Sequence, residues 1–561
     1  MDTETARQII MKWWQKTIAY ELYPKSFLDT EGQGTGTIRG ITQKLDYLES
    51  LGIGAVWLTP VCRSPMVDNG YDIADYADID PSYGTMEDMK ELIAKAKEKN
   101  IRIVMDLVFN HTSDQNPWFL ESKMSKNNPK SSWYIWRDAK EDGSAPTNWR
   151  SIFGGSAWTW CEERQQYYLH TFASQQPDLN WADEDVRKAL YQAANFWVDL
   201  GAGGFRIDAI TYIRKPDEFK DGVPDADDGM ISVHDMTANT PGILEYLYEF
   251  KREVSEGHDI FTVAEANGVS ADELKYWVGE HGAFDMLFEF SHVNLEFKGV
   301  ETWCRPDPWT ISDLKRALRN SQNATKANGW YPAFFENHDK PRCIDHYFPE
   351  CSDPSSAAKA MGTLLMTLRG TPFLYQGQEL GYRNVAWPSI DCYNDISSIG
   401  QYQFALSEGL TEEEAMKCVH TFSRDSARTP MQWDDTENAG FSSGTPWLPI
   451  HDDYKEVNVE KESRDPDSVL SWYRTLAEIR QEHSALISGD WTEFMKDDPD
   501  IIAYKRKNDE EELYILINLS EKQRTFSTES VTAEHVILNN KDTYEKGSLS
   551  PLQCVILAEK L

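Results

Sequence analysis

A chain of 561 residues is too long for one ordinary core, and with 40% hydrophobic and 26% charged residues it has the make-up of a globular protein in water. Its formal net charge of −36 excludes nucleic acid as a partner, which needs a basic face, and argues against anionic membranes and anionic substrates. A small neutral substrate remains.

The first residues, 1–16, carry no basic head followed by an apolar stretch, and no apolar run approaches the roughly 18–20 residues of a membrane span. The eight cysteines are scattered without a CxxC pair, so neither a zinc site nor a disulfide framework is expected. Free thiols without a leader point to the cytoplasm.

Strand-like and helix-like runs alternate along the chain. Residues 18–27 read as a strand and 41–52 as an amphipathic helix ending in glycine. Residues 55–61 are the next strand and 86–100 a strong helix. Residues 101–110 form a continuous apolar run, the pattern of a strand buried on both faces in a parallel sheet. The stretch 111–181 shows no strong periodicity, and the alternation resumes with a helix over 183–201 and a strand over 203–210. Further strands are expected at 260–266, 284–290, 330–339 and 371–380, with helices at 242–254, 311–322 and 355–370. Eight strands alternating with helices predict an α/β fold, a (β/α)8 TIM barrel.

The expected organisation is a barrel in two parts, residues 1–110 and 179–485, with an inserted domain at 111–178 after the third strand. The second part includes an irregular subdomain at 381–460 and a helix at 467–483. Short alternating runs after residue 490 predict a C-terminal all-β domain, a β-sandwich over 486–561.

In such barrels chemistry sits at the C-terminal ends of the strands. Those ends present Asp106, Asn110 and His111, then Arg206 and Asp208, then Glu265, then Asn337, His338 and Asp339. Arg206 and Asp208 are two apart on a strand and share a face, so the guanidinium is expected to keep the aspartate ionised. From these two residues alone, a structural ion pair reads equally well. Asp208, Glu265 and Asp339, however, emerge from three strands at one rim. Paired carboxylates suit glycoside hydrolysis, with Asp208 as nucleophile and Glu265, among apolar neighbours, as general acid. Asp339 beside His338 suits stabilisation of a positive sugar ring.

The segments DLVFNHTS (106–113), GFRIDAI (204–210), VAEA around Glu265 and ENHDKPR (336–342) occur in this order. With QPDLNW (176–181), GYDIADY (70–76), FGGSAW (153–158), YQGQELG (375–381) and ARTPMQWDD (427–435), the chain resembles glycoside hydrolase family 13, the α-amylase family. Within it, the resemblance is to the oligo-1,6-glucosidase and α-glucosidase group. It implies a retaining mechanism through a glucosyl-enzyme intermediate. Asp208 would be the nucleophile, Glu265 the acid/base and Asp339 the transition-state stabiliser. His111, Arg206 and His338 would hold the sugar, with Asp68 and Tyr71 closing the pocket, Arg428 reaching into it, and Phe153, Phe172 and Gln176 coming from the inserted domain. A blind pocket implies trimming of single glucose units.

The resemblance also implies a calcium loop near the first strand. Here Gln33 and Thr37 stand where aspartates are expected, leaving Asp29 and Glu31 as the candidate ligands. Hard cations need several anionic oxygens, so weak or absent metal binding is expected and no cofactor is required. Ala209 follows the nucleophile where 1,6-specific members carry valine, which implies α-1,4 activity with broad linkage tolerance. Lys340, where glutamine is usual, lies on the acceptor side. The alternatives are an isomaltase, a transglucosylase or a sucrose-isomerising enzyme. The stretch after Arg342 lacks the arginine-rich loop of the isomerases. A non-catalytic transporter subunit would have lost a carboxylate or gained an anchor. Oligomeric state has no signature in the sequence.

Overall fold

The computed structural model describes residues 11–559 except 227, 271 and 298–300; residues 1–10, where a leader would begin, lie outside the described residues. The central sheet contains β1 (Ile18–Leu22), β2 (Ile53–Leu58), β3 (Arg102–Val108), β4 (Gly204–Asp208), β5 (Phe261–Glu265), β6 (Met286–Phe288), β7 (Pro332–Ala333) and β8 (Thr371–Tyr375). All neighbours pair in parallel, in the order β6-β5-β4-β3-β2-β1-β8-β7. A parallel bridge between Met286 and Trp330 joins β6 to the entry of β7 and closes the barrel. Helices such as Met86–Glu98, Glu184–Leu200, Ile311–Asn328 and Pro354–Thr367 separate the strands.

Alternation along the strands sorts the core. Ala19, Trp57, Val104, Val263, Met286, Phe288 and Phe373 form one buried cluster inside the barrel. Tyr20, Val56, Met105, Phe205, Ile207 and Leu374 point outward and pack with the helices in the larger cluster. Gly204 lets β4 lie close to β5, since a Cβ there would stand 2.4 Å from the Phe261 carbonyl oxygen. The seventh strand is only two residues long, not the ten expected, because Pro332 has no N–H to give a ladder and the chain turns at 337–339. The helix expected over 41–52 is two short ones, Ile38–Gln43 and Leu45–Ser50.

Residues 111–178 contain a three-stranded antiparallel sheet, in which Gln166–Leu169 pairs with both Trp136–Arg137 and Trp158–Cys161. The segment is tied to the barrel where the Leu179 N–H donates to the Asn110 carbonyl at 2.9 Å. The stretch 381–460 is not irregular throughout. It holds the helices Ile396–Ser407 and Glu412–Phe422, whose starts are fixed by the Asp395 cap and the Thr411–Glu414 capping box.

At the C-terminus β9 (Asp490–Phe494), β10 (Ile501–Lys507), β11 (Glu512–Asn518), β12 (His535–Asn539) and β13 (Cys554–Ala558) make one antiparallel sheet, beside a two-stranded ribbon. Ile502, Tyr504, Ile515 and Ile556 join the main core, while Ile501, Ala503, Leu516 and Val555 form the core of the opposite face. Arg506 seals the first face by donating to the Thr367 carbonyl at 2.6 Å. Among the described residues no helix is long and apolar enough to cross a membrane.

Candidate active site

Register places the functional side chains. Arg206 on β4 lies opposite Asp106 on β3 and Val263 on β5, so its side chain enters the top of the barrel. Its Nη1 donates to Asp208 Oδ1 at 2.6 Å and to both Asp106 oxygens at 3.1 and 3.2 Å. Its Nη2 donates to Glu265 Oε2 at 2.6 Å, an oxygen that also accepts the Ala209 N–H at 3.1 Å. One guanidinium therefore bridges Asp208 and Glu265. The structure corrects the simple pairing expected from sequence, because Arg206 serves three carboxylates. Burial, with Glu265 and Asp106 adding to it against Arg206, pushes the Asp208 carboxyl well above its ordinary range.

A second layer holds this cluster. The Tyr71 hydroxyl lies 3.0 Å from Asp106 Oδ2 and 2.8 Å from His338 Nε2, and its ring stacks on His338 at 5.4 Å with 4° between planes. His338 Nδ1 lies 2.6 Å from Glu21 Oε1. Burial pushes His338 down to about 3, so the ring is neutral. His111 Nε2 donates to the Tyr71 carbonyl at 2.9 Å, and burial pushes this imidazole down to about 4.

Asp339 sits in a different field. Arg428 Nη2 donates to its Oδ1 at 2.5 Å and Arg424 Nη1 at 3.2 Å. Burial raises this carboxyl, but the charges of His338, Arg424 and Arg428 together hold it well below the usual carboxylate range. With His338 neutral, the two arginines carry that effect. Arg424 Nη2 also reaches Asp68 Oδ1 at 3.4 Å, and Gln176 Nε2 donates to Asp68 Oδ2 at 3.1 Å. This interlock ties Gln176 of the inserted segment to Arg424 through Asp68. Burial lifts Asp68 to about 6 against the pull of the arginines.

These groups surround a cavity of about 1180 Å³. Asp68, Tyr71, His111, Phe153, Phe172, Asp208, Ala209, Glu265 and Asp339 line it, as do Lys340 and Arg424. Arg206, Gln176, His338 and Arg428 lie in the wall behind, holding the lining residues. Phe153 stands 5.7 Å from Phe172 and beneath the Arg424 guanidinium, 5.4 Å away. Sequence reasoning missed Arg424 and Glu21 as members of the site, and it placed Asp106 at the rim without giving it a role. Arg424 lies in the same SRDSAR segment as Arg428, four residues earlier, and is the arginine that faces the cavity. Asp106, two residues before the end of β3, shares the Arg206 guanidinium with Asp208 and Glu265. Glu21 is a lone carboxylate in the apolar β1 run, fully buried where only a structural or catalytic partner would keep it.

In the loop implied to hold calcium, both candidate carboxylates have partners within the protein. Asp29 Oδ1 accepts the N–H groups of Glu31 and Gly32 at 2.8 and 3.0 Å, and Oδ2 accepts Gly34 N–H and the Ser442 hydroxyl, each at 2.6 Å. Glu31 turns to Arg39 at 3.4 Å. Treatment with a chelator is therefore expected to shift the melting temperature by less than about 1 °C. Asp29→Ala should cost about 1–3 kcal/mol with or without calcium, through lost hydrogen bonds. A melting-temperature loss that depends on added metal would contradict this.

A parallel barrel presenting carboxylates and arginines around a cavity at its C-terminal rim is the frame of a glycoside hydrolase. The chain belongs to the α-amylase family, glycoside hydrolase family 13: the family's catalytic-domain pattern, "Alpha amylase, catalytic domain", matches residues 21–489. It is 42% identical over 532 residues to an oligo-1,6-glucosidase of Parageobacillus thermoglucosidasius, covering 94% of each chain. It is 39% identical to a trehalose-6-phosphate hydrolase of Bacillus subtilis, over 97% of this chain and 98% of that one. Among solved structures, the isomaltulose synthase SmuA of Protaminobacter rubrum superposes with a TM-score of 0.93 at 38% identity, covering 98% of this chain and 99% of that one.

Proposed function

We propose that the chain is a retaining, exo-acting α-glucosidase that releases glucose from the non-reducing end of short α-glucosides. The observation that carries this reading is the single Arg206 guanidinium bridging Asp208 and Glu265. Two carboxylates on one guanidinium fit the roughly 5–5.5 Å spacing of a double displacement better than the roughly 6.5–9.5 Å of an inverting pair. Asp208 Oδ attacks the anomeric carbon while the Glu265 carboxyl protonates the departing oxygen. Water, deprotonated by Glu265, then releases glucose. Asp339, held anionic by two arginines, faces the developing positive charge of the ring. The Asp68–Arg424 interlock supports a blind pocket and so the removal of one terminal glucose.

A neutral acceptor is supported by the cavity wall. Its cations face carboxylates: Lys340 with Glu301, Arg305 with Glu408, Arg316 with Asp313, and Arg150 with Asp225 and Asp228. A phosphorylated sugar would have to break such pairs.

The linkage reading rests on Ala209. It lines the cavity with a left-handed backbone, φ 44° and ψ 34°, where a β-branched side chain is strained. Alanine leaves the acceptor side open, which favours α-1,4 substrates with tolerance for others, whereas the oligo-1,6-glucosidase above is named for 1,6 linkages. Ala209→Val is expected to lower kcat/KM on maltose about tenfold relative to isomaltose. Initial rates on the two disaccharides decide it, and a strong isomaltose preference in the unaltered enzyme would sink the α-1,4 assignment.

A further inference from the structure

We propose that His234 selects the leaving sugar, its Nε2–H donating to a hydroxyl of the aglycone. This rests on the glucosidase reading and names a residue outside the glucose-holding set. His234 lies on the short helix Val233–Thr237, reached by the long connection after β4, and its side chain lines the cavity.

The ring is positioned from two sides. The Tyr212 hydroxyl stands 2.7 Å from Nδ1, and Tyr212 is itself buried edge-on against Phe172 at 5.8 Å and 85°. The Tyr212 carbonyl accepts from the buried Lys215 ammonium at 2.5 Å, which also meets Asp178 at 2.8 Å. On the other side, Cε1 and Nε2 of His234 lie 3.7 and 3.8 Å from where a Cβ on Gly268 would stand. Gly268 is three residues beyond Glu265, and both line the same cavity as His234.

The tautomer follows from the donors. Burial lowers the affinity of this imidazole for a second proton, so it is neutral. A phenol is the better donor of the Tyr212–His234 pair, so Tyr212 gives its proton to Nδ1 and the ring keeps its own on Nε2. Among the described residues no hydrogen-bond partner for Nε2 occurs in the protein. A donor on the acceptor side of the acid meets a sugar hydroxyl, and it has nothing to meet on an aglycone without hydroxyls.

The test compares maltose and isomaltose with p-nitrophenyl α-glucoside, whose aglycone carries no hydroxyl. His234→Leu should lower kcat/KM on at least one disaccharide about three- to tenfold, the scale of one lost hydrogen bond, while the aryl glucoside changes less than about twofold. His234→Gln, which restores an N–H, should recover part of the loss. Tyr212→Phe, which keeps the ring but frees its tautomer, should give a smaller drop confined to disaccharides, and serves if His234→Leu does not fold. Equal falls on all three substrates would show a merely structural role and overturn the proposal. Unchanged disaccharide kinetics would overturn it too. If the unaltered enzyme cleaves no α-glucoside, the glucosidase reading falls first and takes this one with it.

Discussion

Asp208→Asn is expected to lower kcat on any α-glucoside by about 10⁴- to 10⁶-fold, the range seen when a nucleophile is removed from a catalytic set. The fold should not suffer. Asparagine keeps an oxygen for the Arg206 Nη1 donor now 2.6 Å from the carboxylate, and it removes one negative charge from a crowded site. Burial and two neighbouring carboxylates already push Asp208 upward, so the native charge is held at a cost to stability. Thermal unfolding should show the variant within about 1 kcal/mol of the unaltered protein, or above it. A large loss of both activity and stability would mean that Asp208 is a structural ion-pair partner.

Arg206→Met should do the opposite. It removes the one cation shared by Asp106, Asp208 and Glu265, all at least partly buried. Breaking such a network by deleting one partner costs about 3–5 kcal/mol, because the remaining charges stay buried without compensation. Activity should fall with stability, since both carboxylates proposed to act in catalysis lose the group that orients them. The pH dependence has a definite sign. Without the guanidinium, these carboxyls have folded-state affinities for protons raised above their unfolded values. The folded variant then binds more protons, and its stability falls as pH rises. The stability gap between variant and unaltered protein should therefore widen from about pH 5 to pH 8. Arg206→Lys should recover only part, because an ammonium cannot span the two carboxylates as the planar fork does. A gap that does not change with pH would contradict the shared-cation account.

The barrel and its rim were legible from the sequence because both rest on short-range pattern. Buried parallel strands are continuous apolar runs, and a carboxylate that ends one must sit at the rim. Arg206, two residues before Asp208, could be placed on the same face from strand alternation alone. Its further contacts could not, because they depend on register between β3, β4 and β5, which no local pattern specifies. For the same reason Glu21, on the first strand, and His338, after the seventh, gave no sign of their contact across the barrel. Arg424 was overlooked for Arg428 because the two lie four residues apart in one segment, and only the packing of the turn Arg424–Ser426 decides which guanidinium meets the cavity. The short β7 was overestimated because apolar residues continue past Pro332 into coil, where they fill the core without joining the sheet. The helices within 381–460 carried readable signals, Asp395 before Ser397 and Ser398 and a Thr411–Glu414 capping box, in a stretch whose polar composition suggested loop.

The central claim is that Asp208 forms a covalent bond to glucose. Incubation with an activated fluoro-glucoside, whose fluorine slows release of the intermediate, followed by peptide mass mapping, tests it directly. The expected result is one added fluoroglucosyl group on the peptide containing Asp208, formed in the unaltered enzyme and absent from Asp208→Asn. Label on another carboxylate, or turnover with no trapped intermediate and inversion at the anomeric carbon, would contradict the account.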